Sequence, residues 1–165
     1  MIIYEEIFSA FHREKVKYVV IGGIAVNLLG LLRSTADLDV LMEMSNKNLE
    51  KVIKILKKHD YFIKVPIDPI SIVDKKVRDN LIKEKHMKAL NFYKKKTLEE
   101  VDILIDSPVS YSQAKKTSKR IKAGKITIPV ISLDNLIKMK KKAGRSIDKF
   151  DIEELKKIKK ISGKK

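Results

Sequence analysis

The sequence predicts a mixed α/β fold, of the α+β kind, with a central sheet flanked by helices. Three observations point there. Short β-branched runs such as Val19-Val20-Ile21 and Val40-Leu41-Met42 have the length and composition of buried strands. Longer segments place apolar residues at three- and four-residue spacing, the period of a helix with one buried face. Two further strand-like runs, 86–93 and 100–105, are separated by the polar Lys94-Lys95-Lys96-Thr97, the pattern of a hairpin.

Taken in order, residues 3–15 carry Ile3, Ile7, Phe8 and Phe11 at helical spacing. Strand 17–21 follows, then Gly22-Gly23, a short helix 24–32 with an Ala25, Leu28, Leu29 face, and a strand at 37–42. Ser45 or Asn46 caps a helix reaching Lys58, with Leu49, Val52, Ile53 and Leu56 inward. A strand at 61–65 ends before Pro66 and Pro69, which mark a turn-rich stretch, and 71–85 reads as helix. After the hairpin come a short helix at 110–117 and a second hairpin within 119–131, turning at Ala123-Gly124. Ser132 starts a helix that ends at Gly144, as a C-terminal glycine should. Ser146 starts the last helix, with Ile147, Phe150, Leu155, Ile158 and Ile161 as its apolar stripe and 156–165 as a frayed basic tail. The chain is read as one domain, 1–165.

At 165 residues and 44 % apolar content the chain is large enough to bury a core. Apolar stretches fall short of the roughly 18 residues that a membrane helix needs, and acids interrupt the first residues where a signal peptide needs an apolar core. These features predict a cytoplasmic protein with no membrane partner. The absence of cysteine rules out disulfides and thiolate metal sites. His12, His59 and His86 are scattered, and no G-x-S-x-G elbow occurs, so zinc chemistry and serine hydrolysis find no support. The net charge of +16 fits contact with a polyanion. It also fits a merely solvated lysine surface, and composition leaves both open.

The chemistry concentrates between Gly22 and Asp39, GGIAVNLLGLLRSTADLD. A glycine pair lets backbone approach a ligand, and a following helix start offers N–H groups to a phosphate. Asp37 and Asp39 stand two residues apart on a strand and so share a face. Adjacent carboxylates raise each other's pKa, and a divalent cation relieves that conflict; Mg²⁺ is commonly held by one or two carboxylates plus substrate phosphates. Either half alone is a common accident, but the ordered composite suggests nucleotide chemistry. In the strand at 100–105, Asp102 interrupts an apolar run, which is costly unless compensated, and this makes it the third carboxylate candidate ahead of Asp106.

This segment resembles the first motif of the nucleotidyltransferase superfamily that includes DNA polymerase β, and more closely the AbiEii-like nucleotidyltransferases, many of them toxins of toxin–antitoxin pairs. Asn27, Gly30, Arg33, Thr35, Asp37 and Asp39 stand at the motif places, and Leu136-Ile137, Lys140, Gly144-Arg145, Asp148 and Asp151 match the family's C-terminal pattern. The resemblance implies a polymerase β-like fold and transfer of a nucleoside monophosphate from an NTP to an acceptor hydroxyl. Asp37, Asp39 and Asp102 would be catalytic and would hold two Mg²⁺ ions, with Mn²⁺ as the alternative. Lys140 would be catalytic and sit on the phosphates, and Gly22, Gly23, Arg33, Thr35 and Asp148 would complete the nucleotide site. Asp151 reads as a surface cap or pair. The acceptors implied are RNA, a tRNA end or a protein, and the candidate partners are a cognate antitoxin or a second copy of the chain. The reading from a different class is a non-catalytic nucleotide- or RNA-binding module that acts with a partner protein.

Overall fold

A computed structural model describes residues 4–163; the expectations for Ile3 and for the last two lysines lie outside the described residues. Seven strands form one mixed sheet in the order β3-β4-β5-β2-β1-β7-β6. They are β1 (Tyr18–Val20), β2 (Leu38–Met42), β3 (Tyr61–Ile63), β4 (Ala89–Lys94), β5 (Glu100–Leu104), β6 (Lys119–Ala123) and β7 (Ile126–Val130). The helices are α1 (Glu5–Arg13), α2 (Gly22–Leu28), α3 (Asn46–Lys58), α4 (Lys75–Lys83), α5 (Tyr111–Thr117), α6 (Leu133–Ala143) and α7 (Ser146–Ser162). Both hairpins read from the sequence form, β4 with β5 and β6 with β7. β2 is antiparallel to β1 and parallel to β5, which puts Asp39 and Asp102 in register across adjacent strands.

Ile7, Phe8 and Phe11 of α1, Val19 and Val20 of β1, and Val52 and Leu56 of α3 lie in one buried cluster with Phe92, Val101 and Ile103. Ile72 and Leu81 are buried as expected, but 71–85 is not one helix. A 3₁₀ turn at Pro69–Val73 precedes α4, and each is capped by an aspartate, Asp68 and Asp74. Buried Arg78 then donates to the carbonyls of Ile72, Val73 and Met44 and ties the turn to the loop after β2.

Two elements near the site depart from the sequence reading. α2 begins on Gly22 itself and stops at Leu28. The loop after it is stapled by Asn27, whose side chain accepts from the Arg33 N–H and donates to the Arg33 carbonyl, both at 3.0 Å. α7 continues as helix to Ser162, so the stretch expected to fray is ordered through that residue. Its apolar stripe faces inward only in part: Leu155 is fully buried and Ile158 packs on the core, but Ile147, Phe150 and Ile161 are exposed, and Asp148 and Asp151 are fully buried in their place. The step 148, 151, 155 is as helical as the apolar one, and cations waiting inside favour it. Among the described residues, no helix is long and apolar enough to cross a membrane.

Candidate active site

The site forms where β1 ends and β2 begins. Gly22 has a left-handed φ of +65°, and a Cβ there would lie 1.9 Å from Asp39 Oδ2. A Cβ on Gly23 would lie 2.3 Å from Thr35 Oγ1 and 3.3 Å from an Arg33 guanidinium nitrogen. The glycine pair therefore makes room for the Asp39 carboxylate and the Thr35 hydroxyl. Tyr4, at the entry to α1, helps fix the strand ends: its hydroxyl lies 2.5 Å from the Ala36 carbonyl oxygen and 2.8 Å from that of Glu100.

Asp39 is pushed up to about 6 from an ordinary 3.8, first by burial and then by the charges of Asp102 and Asp37, with Arg145 and Lys140 opposing. Asp102 is also raised; burial dominates, the cross-strand amide of Asn91 opposes it, and Asp37 adds to it. Its Oδ1 is buried without a hydrogen-bond partner among the described residues. A protonated or metal-bound state relieves both features. Asp37 sits one residue before β2 and is exposed, so strand alternation does not hold it beside Asp39. Among the described residues, no three His, Asp or Glu side chains gather into a metal cluster. The donors that fit a divalent cation are Asp39 and Asp102, with Asp37 near enough for its charge to raise both and remaining ligands left to substrate oxygens and water, as Mg²⁺ prefers.

In front of Asp39 lies a cleft of about 530 Å³, a volume in the range of small-molecule sites. Gly22, Asp39, Lys140 and Asp148 line it together, as do Arg145 and Lys142. Gly23, Arg33, Thr35, Asp37 and Asp102 do not line it. Pro108, Leu136, Met139 and Ala143 form an apolar wall, and Lys88 pairs with Asp106 at the same cleft. Arg145 and Lys142 are the cations that sequence reasoning missed. Arg145 stood inside the quoted Gly-Arg motif, which was the signal available.

Behind the cleft runs a charge network joining three segments. Lys140 is 5 % exposed and donates to Asp148 at 3.2 Å and Asp151 at 2.7 Å. Arg33 donates to the same Asp151 oxygen at 2.6 Å. Asp148 also receives the Arg145 side chain at 2.8 Å and the Arg145 backbone N–H at 3.1 Å, which caps α7. Burial alone would raise Asp148, but the bonds from Arg145 and Lys140 outweigh it and hold its carboxyl below the usual range. Asp151 is therefore no surface residue; it bridges the loop after α2 to α6.

The mixed sheet, with Asp39 and Asp102 paired on β2 and β5 beside the cleft, has the polymerase β-like fold of nucleotidyltransferases. A family model for aminoglycoside-2''-adenylyltransferases matches residues 4–158, and the chain belongs to that family, one of enzymes. No curated protein matches it. Among solved structures it is similar to the lincosamide antibiotic adenylyltransferase LnuA with lincomycin bound, at 21 % identity and TM-score 0.61 over 92 % of this chain and 93 % of that one. It is similar to a proposed nucleotidyltransferase, TM1012, from Thermotoga maritima, at 17 % identity and TM-score 0.57 over 97 % and 90 %. ANT(2'')-Ia in complex with adenylyl-2''-tobramycin follows at 12 % and 0.52, over 80 % and 68 %. At these identities the likeness is one of fold. The nucleotidyltransferase superfamily read from the sequence holds, and the matched family is the aminoglycoside adenylyltransferases.

Proposed function

We propose that the protein transfers a nucleoside monophosphate from an NTP to an acceptor hydroxyl and releases pyrophosphate. The observation that carries this reading is the pair Asp39 and Asp102, in register on parallel strands with both carboxylates biased toward protonation. Asp39 and Asp102 would hold Mg²⁺ or Mn²⁺, with Asp37 at the loop edge; when bound, such ions neutralise the triphosphate and clamp the attacking and leaving oxygens. Arg145 and Lys142, on the cleft wall, would meet the phosphate oxygens. Asp102, in register beside Asp39, would take the acceptor's proton where the acceptor hydroxyl meets that pair at the edge of the cleft. Lys140 acts by position: its ammonium is engaged by two aspartates, so it orients α7 and Asp148 against the cleft.

The acceptor is a small hydroxyl compound of the antibiotic class, as the family description and the LnuA and ANT(2'')-Ia complexes suggest. A cleft of about 530 Å³ with an apolar wall suits such a molecule. Its acids are already engaged, Asp106 by Lys88 and Asp148 by Lys140 and Arg145, and Asp39 is assigned to the metal. A weakly charged acceptor therefore fits better than a polycation.

One observation, the +16 net charge, favours a second acceptor, an RNA or tRNA end. The AbiEii-like resemblance and a toxin–antitoxin role would follow that acceptor, in the cytoplasm where NTPs and RNA meet. The test is pyrophosphate release from each NTP with lincosamides, aminoglycosides, total RNA or lysate protein as acceptor. Release driven by a lincosamide-like compound supports the first reading, and release driven only by RNA supports the second. No release with any acceptor refutes both.

A further inference from the structure

A second hollow, of about 750 Å³, opens at the far end of β1 and β2 from Gly22 and Asp39. Lys15 follows α1, Lys17 precedes β1, Lys115 and Lys116 lie on α5, and Arg120 lies on β6; all five are exposed and all line this hollow. The one carboxylate in its lining, Glu43, is taken by Lys17 at 3.0 Å. A cation on β6 is explained by protection of an edge strand. That explanation does not reach cations arriving from two other segments, the α1–β1 loop and α5, onto the same hollow. Tyr111, Ser112 and Thr127 add hydroxyls between them, the neutral groups that accompany lysine and arginine at phosphate backbones. The exposed large apolar side chains, Phe150 and Leu98 among them, lie elsewhere, so the apolar anchor of a lipid-binding surface is missing.

We propose that this hollow binds the phosphodiester backbone of a nucleic acid strand. The site is separate from the nucleotidyl-transfer cleft and stands without it. The experiment is fluorescence anisotropy of the full chain with a labelled single-stranded RNA of about 20 nucleotides, and with DNA of the same sequence, from 50 to 300 mM KCl. Three to five phosphates in the hollow would give a slope of about 2 to 3.5 for log Kd against log salt, at roughly 0.7 per phosphate for single strands.

Lys115→Glu/Lys116→Glu/Arg120→Glu is expected to weaken binding at least tenfold at 100 mM KCl. If thermal melting shows that this variant is unfolded, Lys115→Gln/Lys116→Gln replaces it, with a loss of at least threefold. Lys54→Glu/Lys57→Glu/Lys58→Glu on α3 changes net charge equally and is expected to stay within threefold of the unmodified protein. Asp39→Asn is expected to bind unchanged, so loss of the transfer reading leaves this one standing. Equal weakening by the α3 reversals overturns the proposal. So does binding to phosphatidylserine vesicles with none to either oligonucleotide.

Discussion

Removing the Asp151 carboxylate tests the network behind the cleft. In Asp151→Asn the shape stays, but Arg33 and Lys140 lose the charge they share at 2.6 and 2.7 Å. Breaking a buried pair by removing one partner costs about 3–5 kcal/mol, because the remaining charge is left uncompensated. The lower end applies here, since among the described residues Arg33 Nε and Asp151 Oδ1 are already buried without partners and Arg33 keeps some solvent access. At about 3 kcal/mol and 2–4 °C per kcal/mol for a chain of this size, Tm should fall by about 6–12 °C. Urea titration should show a lower midpoint at unchanged slope. The double variant Lys140→Met/Asp151→Leu should cost clearly less than its two single changes added together, because it removes both charges at once. A Tm for Asp151→Asn within 2 °C of the unmodified protein would show that the buried network does not hold α7.

Other outcomes follow from the same geometry. Gly22→Ala places a methyl 1.9 Å from Asp39 Oδ2 at a positive φ, so nucleotidyl transfer should drop at least about 100-fold with a loss of about 1–3 kcal/mol, measured by turnover and melting together. Asp39 has a raised folded-state value near 6, so its stabilising contribution is full below about 4 and disappears as pH rises through 6. Without metal, Tm should decline across that window, and Asp39→Asn should flatten the decline while abolishing turnover. Mg²⁺ binding, followed by calorimetry, should strengthen over the same interval as the proton leaves. Asp148 has the opposite sign: its lowered value means stability held above about 4 is lost on further acidification, and Asp148→Asn should remove that part of the acid transition.

Local patterns made the strands, both hairpins, the glycine pair and the Asp-x-Asp spacing legible, because period, turn chemistry and caps act over a few residues. Asp102 was legible too, since a carboxylate amid Val101, Ile103 and Ile105 has a cost that shows in one dimension. The face of α7 was not. Its apolar residues pointed to one stripe, yet the helix turns Asp148 and Asp151 inward because Lys140 and Arg33 meet them there, and Arg33 lies 118 residues away from Asp151. Likewise the sequence shows that glycine is needed at 22 and 23, but only the folded chain shows that Asp39 and Thr35 take the space. In both cases the deciding partner comes from another segment of the chain.

The most direct measurement is transfer of label from each α-³²P-NTP, with Mg²⁺, to antibiotic acceptors and to RNA, comparing the unmodified protein with Asp39→Asn. Labelled acceptor from the unmodified protein alone, with both proteins equally folded, is the predicted result. Equal labelling by Asp39→Asn, or no labelling with any NTP and acceptor, would contradict the account.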